Sequence, residues 1–223
     1  MIDRSTWTPP AALSSTGPDI RGVLYGSRLF DQPRHRPVRD SIVGFLADPA
    51  PAALEIGFDH GMRLLDQARR APGWRWLGCE IREARALAVA SNAPPNCMAV
   101  RADGRALLAG VIPAGRLSLC TILFPTPATD PRHLLLTPAL VGLIGRALGP
   151  GGAVHLETDV PGMAAWIRRC FEGWAEAGPD HPIRAAACPE GLALSRRQRV
   201  CRRDGLPVWS FWLSAPSVLS LAA

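Results

Sequence analysis

The stretch "LEIGFDHG", from Leu54 to Gly61, has the pattern of a buried strand that runs into a glycine-bearing turn. The segment that follows, "HGMRLLDQARRA", carries apolar residues at helical spacing, namely Met62, Leu64, Leu65 and Ala68. Strand–turn–helix units of this kind often hold a nucleotide-like cofactor. Asp59 and His60 stand where a tight turn favours small residues. The stretch is therefore a working cofactor turn, a modified one, or an ordinary strand-to-helix connection.

Strand and helix patterns alternate along the rest of the chain from Ala52 onward. Four further apolar segments predict buried strands, "WRWLGCEI", "CMAVRAD", "LSLCTILFP" and "GAVHLETD". Helical patterns follow them in "REARALAVASNA", "GRALLAGVI", "LLTPALVGLIGRALG" and "PGMAAWIRRCFEGWAEAG". Apolar strands separated by amphipathic helices predict an α/β fold, in which helices cover both faces of a mostly parallel sheet.

The C-terminal part of the chain has a different pattern. The segments "LALSRRQRV" and "LPVWSFWLS" flank "CRRDG", whose Asp-Gly pair is typical of a β-hairpin. We therefore expect the final strands to be antiparallel. The aromatic residues of "WSFWL", together with Trp166 and Trp174, are expected in the core rather than as a platform for stacking bases.

The size and composition of the chain predict a single domain with short extensions. Its 223 residues, 48% of them hydrophobic, can bury one sizeable core. Prolines cluster near the front, so residues 1–50 are expected to form a partly irregular N-terminal arm, with "RHRPVRD" as its only charge cluster, and residues 51–223 the domain. The start, "MIDRSTWTPP", lacks an apolar signal core, and no apolar run is long enough to span a bilayer. A cytoplasmic location without membrane contact is expected.

The charge balance is basic. The formal net charge is +6, and all 25 basic residues are arginine. A basic balance permits nucleic acid or another anionic partner but does not establish one. The six cysteines show no CxxC spacing, so neither a metal site nor a disulfide framework is expected.

Acidic residues follow three successive predicted strands. Glu55, Glu80 and Asp103 lie where ligands bind in an open parallel sheet, outside the carboxyl ends of the strands. A carboxylate such as Glu80 can accept hydrogen bonds from both hydroxyls of a ribose, and Asp103 can face an adenine amino group. The dinucleotide fingerprint G-x-G-x-x-G is absent, so the pattern suits S-adenosylmethionine better. The alternative is that all three residues merely cap helix N-termini.

These segments resemble the motifs of the bacterial tRNA (guanine-N7)-methyltransferases, over roughly Leu54 to Phe211. "LEIGFDHG" is similar to the family's "LEIGFGMG", "WLGCEI" to "FLGIEI", and "ADGRALL" to its "DA" segment. "LFPTPATDPRH" resembles "FPDPWPKKRH", and "HLETDVPGMAAWI" resembles "TDWExYAxxM". "SRRQRVCRRDGLPVW" is similar to "TxYExKFxxxGxPIY". The resemblance implies that the turn at Leu54–Gly61 is a cofactor-binding turn, modified by Asp59 and His60 in place of glycine and methionine.

The resemblance implies a class I methyltransferase with a seven-stranded, mostly parallel sheet and a C-terminal antiparallel hairpin. It implies S-adenosylmethionine as the cofactor, held by Glu55, Gly57, Asp59, Gly61, Glu80, Ile81, Asp103, Gly104 and Phe124. Asp59 is expected at the methionine end of the cofactor, and His60 as a residue of the first helical turn. The acceptor side is expected to comprise Thr126, Arg132, Asp159, Ser195 and Gln198, of which Thr126 and Gln198 are the candidate catalytic residues.

The departures from the family motifs concern the acceptor. The family's aspartate in "FPDPW" is Thr126 here, its tryptophan is Ala128, its lysines are Asp130 and Pro131, and the basic stretch after the histidine is missing. In the last motif the threonine and the glutamate are Ser195 and Gln198. Without these lysines the chain lacks contacts that, in nucleic-acid-binding proteins, are made to the phosphates of the backbone. We therefore expect methyl transfer to a nitrogen of a small heteroaromatic, guanine-like acceptor.

Two alternatives remain open for the function. One is a genuine tRNA guanine-N7 methyltransferase with changed RNA contacts, and the other is a non-catalytic relative that binds S-adenosylmethionine or RNA. Arginines that could replace the lost contacts, or simply face solvent, occur at both ends of the chain: Arg34, Arg36, Arg39, Arg196, Arg197, Arg199, Arg202 and Arg203. The sequence predicts no oligomeric state.

Overall fold

The computed structural model describes residues 4–9, 30, 32–130, 133–187 and 191–214. Seven strands occur in this part of the chain: β1 (Ala52–Ile56), β2 (Arg75–Glu80), β3 (Cys97–Arg101), β4 (Leu117–Leu123), β5 (Leu148–Thr158), β6 (Ala175–Glu176) and β7 (Trp209–Ser214). They form one sheet in the order β3-β2-β1-β4-β5-β7-β6. Strands β1 to β5 pair in parallel, and β7 is antiparallel to both β5 and β6. The predicted fold class is thereby confirmed.

Helices connect these strands. They are α1 (Arg36–Leu46), α2 (Met62–Arg70), α3 (Glu83–Ala90), α4 (Gly104–Gly110), α5 (Pro138–Ala147), α6 (Pro161–Cys170), α7 (Pro182–Ala187) and α8 (Arg196–Asp204), with a short 3-10 turn at Pro33–His35. Helix α6 ends eight residues before the end of the predicted segment, because Gly173 takes a φ of 84° and the chain enters β6. In the described part of the chain, no helix combines the length and the apolar character needed to cross a membrane.

The core consists of two apolar clusters, one on each face of the sheet. All five residues of β1 are buried, because helices cover both of its faces. Leu54 and Ile56 pack in one cluster with Ile144 of α5, and this cluster also takes in apolar residues of α1, α4 and α6. Ala53 points to the other cluster, which it shares with Leu64 of α2. The alternation along β1 is what a sheet buried between two helical layers requires.

Residues from the predicted N-terminal arm also enter the core. Trp7 is only 4% exposed, and Ile42 and Leu46 of α1 are completely or almost completely buried. These side chains pack in the same cluster as Leu54 of the central strand. The division into an arm at 1–50 and a domain at 51–223 stays a prediction.

The prediction of a strand in "LALSRRQRV" is wrong, because this segment begins helix α8. Ser195 accepts a hydrogen bond from the backbone N–H of Gln198 at 3.2 Å, and the side chain of Gln198 accepts one from the backbone N–H of Ser195 at 2.7 Å. This capping box fixes the helix start. Gly205, whose φ is 63°, ends the helix, so the Asp-Gly pair marks a helix C-terminus instead of a hairpin. The antiparallel partners of β7 are β5 and β6.

Candidate active site

A cleft with a volume of about 350 Å³ lies at the carboxyl ends of strands β1 to β4. The strand order reverses between β1 and β4, which is where open α/β sheets bind their ligands. Residues from every predicted cofactor-binding position reach its wall: Glu55, Gly57, Asp59, Gly61, Glu80, Ile81, Asp103, Gly104 and Phe124. Thr126 and Ser195 line the cleft as well.

The turn after β1 has two glycines, Gly57 and Gly61, whose backbone borders the cleft without a side chain. Gly57 has a φ of 77° and nothing within 4 Å of the position of a Cβ, so its backbone borders open space. Gly61 has a φ of 66°, and a Cβ there would come within 2.5 Å of Val89 Cγ2 on α3. Both positions therefore require glycine, the first for its backbone angle and the second also for the close approach of α3.

Asp59 occupies a backbone conformation that favours glycine. Its φ is 54°, in the left-handed region. Its carboxylate forms an ion pair with Arg85 of α3 and lies 3.8 Å from Arg82 Nη1 and 3.9 Å from His60 Nε2. The Asp59 side chain in the substituted turn is thus held by the guanidinium groups of Arg85 and Arg82.

Glu80 is held in place at the end of β2 by two backbone donors. Its Oε2 accepts the N–H of Asp59 at 3.2 Å, and its Oε1 accepts the N–H of Arg82 at 3.0 Å. The residue is 5% exposed and borders the cleft. Each carboxylate oxygen has more than one acceptor site, so Glu80 keeps capacity for further hydrogen bonds from a ligand.

Glu55 is a buried carboxylate that borders the cleft from the end of β1. It is 5% exposed, and its Oε2 has no hydrogen-bond partner among the described residues. Burial raises the pKa of Glu55 to about 7; Arg63 opposes this rise and Glu157 adds to it. An unpaired buried acceptor costs free energy unless a donor reaches it.

Asp103 serves as the N-cap of α4. Its Oδ1 accepts the N–H of Arg105 at 2.8 Å, and its Oδ2 pairs with Arg105 Nη2 at 2.6 Å. Burial opposes ionisation of Asp103, but its hydrogen bonds with Arg105 outweigh this and keep the pKa below its ordinary value. The capping interpretation therefore holds for Asp103, and Asp103 also borders the cleft.

The acceptor side of the cleft is lined by Thr126, His133, Ser195, Arg196, Arg197 and Arg4. Asp159 lies behind this wall with its side chain 2% exposed, paired with Arg4 on one oxygen and Arg197 on the other. Burial opposes ionisation of Asp159, but hydrogen bonds from Arg197 and Arg4 keep its pKa below the ordinary value. Arg132 lies outside the described residues.

Gln198 does not border the cleft. Its side-chain Nε2 donates to Glu157 Oε2 at 2.6 Å, and its Oε1 is taken by the Ser195 N–H of the capping box. Glu157 also lies 3.3 Å from His155 Nε2, and His155 Nδ1 lies 3.4 Å from Arg63 Nη2. Burial lowers the pKa of His155, which favours its neutral form. These side chains form a buried polar network between α2, β5 and α8.

Three residues of this region were missed from the sequence: Arg4, Arg63 and Glu157. Arg63 had a signal in the sequence, since it is a charged residue between the apolar Met62 and Leu64 at the start of a helical segment. In the structure it is 5% exposed. Glu157 stands directly before the "TD" pair, at the end of the fifth strand, and continues the series of acidic strand ends. Arg4 lies in the segment "MIDRSTWTPP", which shows neither a helical nor a strand periodicity.

The residues present fit S-adenosylmethionine. The open backbone at Gly57 gives room for a ligand, the fixed carboxylate of Glu80 suits vicinal hydroxyls, and the partnerless Oε2 of Glu55 suits a cationic or hydrogen-bond-donating group. Ile81 is 65% exposed at the cleft and offers an apolar surface to a base. A seven-stranded sheet of this order, with β7 antiparallel to its neighbours and such a cleft at the switch point, is the fold of a class I methyltransferase.

Comparison with known proteins identifies the family. Residues 49–177 match the model of the family described as "Putative methyltransferase". The chain is 31% identical to a tRNA (guanine-N(7)-)-methyltransferase of Synechococcus sp., with 73% of this chain and 71% of the relative covered. It is 30% identical to an enzyme of the same name from Azorhizobium caulinodans, over 71% and 78% of the two chains. The chain belongs to the tRNA (guanine-N7)-methyltransferase family, as the motifs predicted.

A solved structure supports the fold. The 16S rRNA methyltransferase KamB superposes with a TM-score of 0.54 at 14% identity, over 78% of this chain and 93% of that one. The protein is an S-adenosylmethionine-dependent N-methyltransferase, which confirms the expected reaction class and cofactor. The expected small-molecule acceptor finds no support, because the similar curated proteins are named for tRNA.

Proposed function

We propose that the protein methylates N7 of a guanine in tRNA and uses RNA contacts that differ from those of its relatives. The observation that carries this proposal is the arginine-lined acceptor end of the cleft, where Arg4, Arg196 and Arg197 border the opening. Arginine binds phosphate through a planar fork of donors. The arginines could thus replace the lysines of the family motif, where this chain has Asp130 and Pro131.

Methyl transfer to guanine N7 needs no acid or base from the residues on the acceptor side of the cleft. Guanine N7 carries a lone pair and loses no proton when it is methylated, so no general base is required. When bound, S-adenosylmethionine supplies an electrophilic methyl group, whose bond to sulfur breaks as the bond to N7 forms. Holding the two reactants in line contributes about 7–11 kcal/mol to lowering such a barrier. Positioning is therefore the main task of the protein.

We assign positioning of the cofactor to Glu55, Glu80, Asp103 and the backbone of Gly57 and Gly61. Ile81, Gly104 and Phe124 would complete the wall around it, and Asp59 would lie at its methionine end. On the acceptor side, the hydroxyl groups of Thr126 and Ser195 offer neutral hydrogen bonds to the guanine. Gln198 and Asp159 would act through their neighbours, since Gln198 caps the helix that carries Ser195 and Asp159 holds Arg197.

The second candidate is a small heteroaromatic acceptor. It is favoured by the substitutions in the loop after β4, where Thr126 and Asp130 replace an aspartate and a lysine of the family motif. A free purine would need the cleft but not the arginines around it.

A substrate comparison separates the candidates. Labelled S-adenosylmethionine is incubated with unmodified tRNA transcripts and, separately, with a panel of free purines and other heterocycles. We expect label in N7-methylguanosine after digestion of the tRNA, and none from transcripts made with 7-deazaguanosine, which lack the acceptor nitrogen. Label only in a free heterocycle would favour the second candidate, and no transfer to any acceptor would favour a non-catalytic relative.

A further inference from the structure

An N-terminal segment, residues 4–9, packs against the acceptor loop after β4. Trp7 is 4% exposed, and its indole Nε1 donates a hydrogen bond to the carbonyl oxygen of Ala128 at 3.1 Å. Ala128 lies between Thr126, which borders the cleft, and Asp130, which replaces a lysine of the family motif. The N-terminal segment is therefore attached to the loop in which Asp130 and Pro131 replace the lysines of the family motif.

The first turn of α6 is shaped to receive this segment. A Cβ at Gly162 would overlap the carbonyl oxygen of Trp7 and would come within 3.0 Å of its carbonyl carbon and 3.3 Å of its ring. A backbone carbonyl cannot move without moving the segment. Gly162 is thus a specific requirement for docking Trp7, and it provides a way to displace the segment without touching the cleft.

Docking of Trp7 brings Arg4 to the wall of the cleft. Arg4 Nη2 lies 2.6 Å from Asp159 Oδ1, and Arg197 Nε lies 3.1 Å from Asp159 Oδ2. The carboxylate is 2% exposed, whereas the side chains of Arg4 and Arg197 are 37% and 33% exposed. Asp159 carries one negative charge and the two arginines carry two positive charges. The Arg4–Asp159–Arg197 cluster therefore has a net charge of about +1, and its arginines are the exposed part.

We infer that Arg4 is a substrate-binding residue, which contacts a phosphate of the RNA beside the target guanine. The inference rests on the proposed function, and it makes the N-terminal segment the replacement for the family's lysines. The buried carboxylate of Asp159 orients the guanidinium of Arg4 by accepting a hydrogen bond from Nη2. A guanidinium has five N–H donors, so this contact uses only some of them. Arg4 Nε is buried and has no hydrogen-bond partner among the described residues, so a phosphate at the cleft entrance would be bound by the Nη groups.

The test measures tRNA methylation by the full chain as a function of salt concentration. Arg4→Gln should raise KM for tRNA about tenfold at low salt and reduce the slope of log KM against log salt by about one, because one phosphate contact is lost. Arg4→Lys should keep the slope, and affinity for S-adenosylmethionine should be unchanged in both. Arg101→Gln, which removes an exposed, ion-paired arginine that does not border the cleft, is the matched control.

A second variant removes Arg4 from the cleft wall without changing the Arg4 side chain itself. Gly162→Ala should displace the segment and give the same loss of slope, and Arg4→Gln should add nothing further to it. Gly142→Ala, where a Cβ meets nothing within 4 Å, should have no effect. If Arg4→Gln lowers stability but leaves the salt slope unchanged, Arg4 only neutralises Asp159 and the inference is overturned. A wild-type chain that methylates no tRNA overturns the proposed function itself.

Discussion

The side-chain amide of Gln198 donates a hydrogen bond to the carboxylate of Glu157 across 2.6 Å, and this contact joins α8 to the end of β5. The family motif has glutamate at the position of Gln198. Two carboxylates at this distance in a buried site would repel each other, so glutamine here and glutamate on the strand form a compatible pair. The contact explains why this chain can carry an amide where its relatives carry an acid.

Gln198→Glu should therefore destabilise the protein by about 2 kcal/mol, because it replaces a half-buried hydrogen bond to a carboxylate with a pair of like charges. The free energy of unfolding in urea measures the loss. The double variant Gln198→Glu with Glu157→Gln reverses donor and acceptor and should recover most of it. A single variant as stable as the wild type would contradict the assigned contact.

Glu80→Gln should weaken binding of S-adenosylmethionine about tenfold, because a charge-assisted hydrogen bond to the ligand is replaced by a neutral one. The glutamine keeps the shape of the side chain but has only one acceptor oxygen, so it can keep one of the two backbone hydrogen bonds of Glu80. Calorimetric titration with the cofactor gives the dissociation constant. Glu83→Gln is the matched control, since Glu83 is exposed at the start of α3 and pairs with Arg101. Equal affinities of the two variants would remove Glu80 from the cofactor site.

Glu55 should make the stability of the protein depend on pH. Because burial raises its pKa to about 7 from an ordinary 4.5, the folded state holds this proton more tightly than the unfolded chain does. The contribution of Glu55 to stability therefore falls as pH rises from 4.5 to 7, by up to about 3 kcal/mol.

Glu55→Gln cannot ionise and should escape that loss. Urea unfolding at about pH 5 and about pH 8 measures the difference between the two proteins, which should widen at the higher pH. The neighbouring charged residues Arg63 and Glu157 are the same in both proteins, so the comparison isolates the side chain at position 55. A gap that does not change with pH would show that Glu55 is ionised throughout.

Replacement of Asp59 should separate the strain of the turn from the charge of the side chain. Asp59→Ala and Asp59→Gly both lose the ion pair with Arg85, and only glycine relieves the strain of the left-handed φ, so the alanine variant should be about 1 kcal/mol less stable than the glycine variant. Thermal unfolding of the two variants provides the measurement. Both keep the backbone N–H that Glu80 accepts, so both should still bind the cofactor. A glycine variant no more stable than the alanine variant would argue against strain at this residue.

The sheet, and the meeting of the acidic strand ends at one cleft, could be predicted from the sequence. Strands such as "LEIGF" are apolar throughout because both faces of β1 are covered, and the acidic residues at strand ends reach one cleft because parallel strands end on the same edge of the sheet. These are local patterns, which a single sequence displays.

The acceptor side was harder to predict because its contacts join distant parts of the chain. Arg4 and Asp159 are 155 positions apart, and no pattern near Arg4 indicates its partner. The assignment of a strand to the start of α8 had a different cause. The Ser195–Gln198 capping box was present in the sequence, but the Asp-Gly pair was given more weight than this helix start.

Chemical mapping of the methylated base shows whether the protein methylates guanine N7 in tRNA. An unmodified tRNA transcript is incubated with the protein and S-adenosylmethionine, reduced with borohydride and treated with aniline, which breaks the chain at N7-methylguanosine. The account predicts a break at one guanine and none in a transcript that carries 7-deazaguanosine. An intact transcript, obtained with a preparation that transfers the methyl group to a free heterocycle, would contradict it.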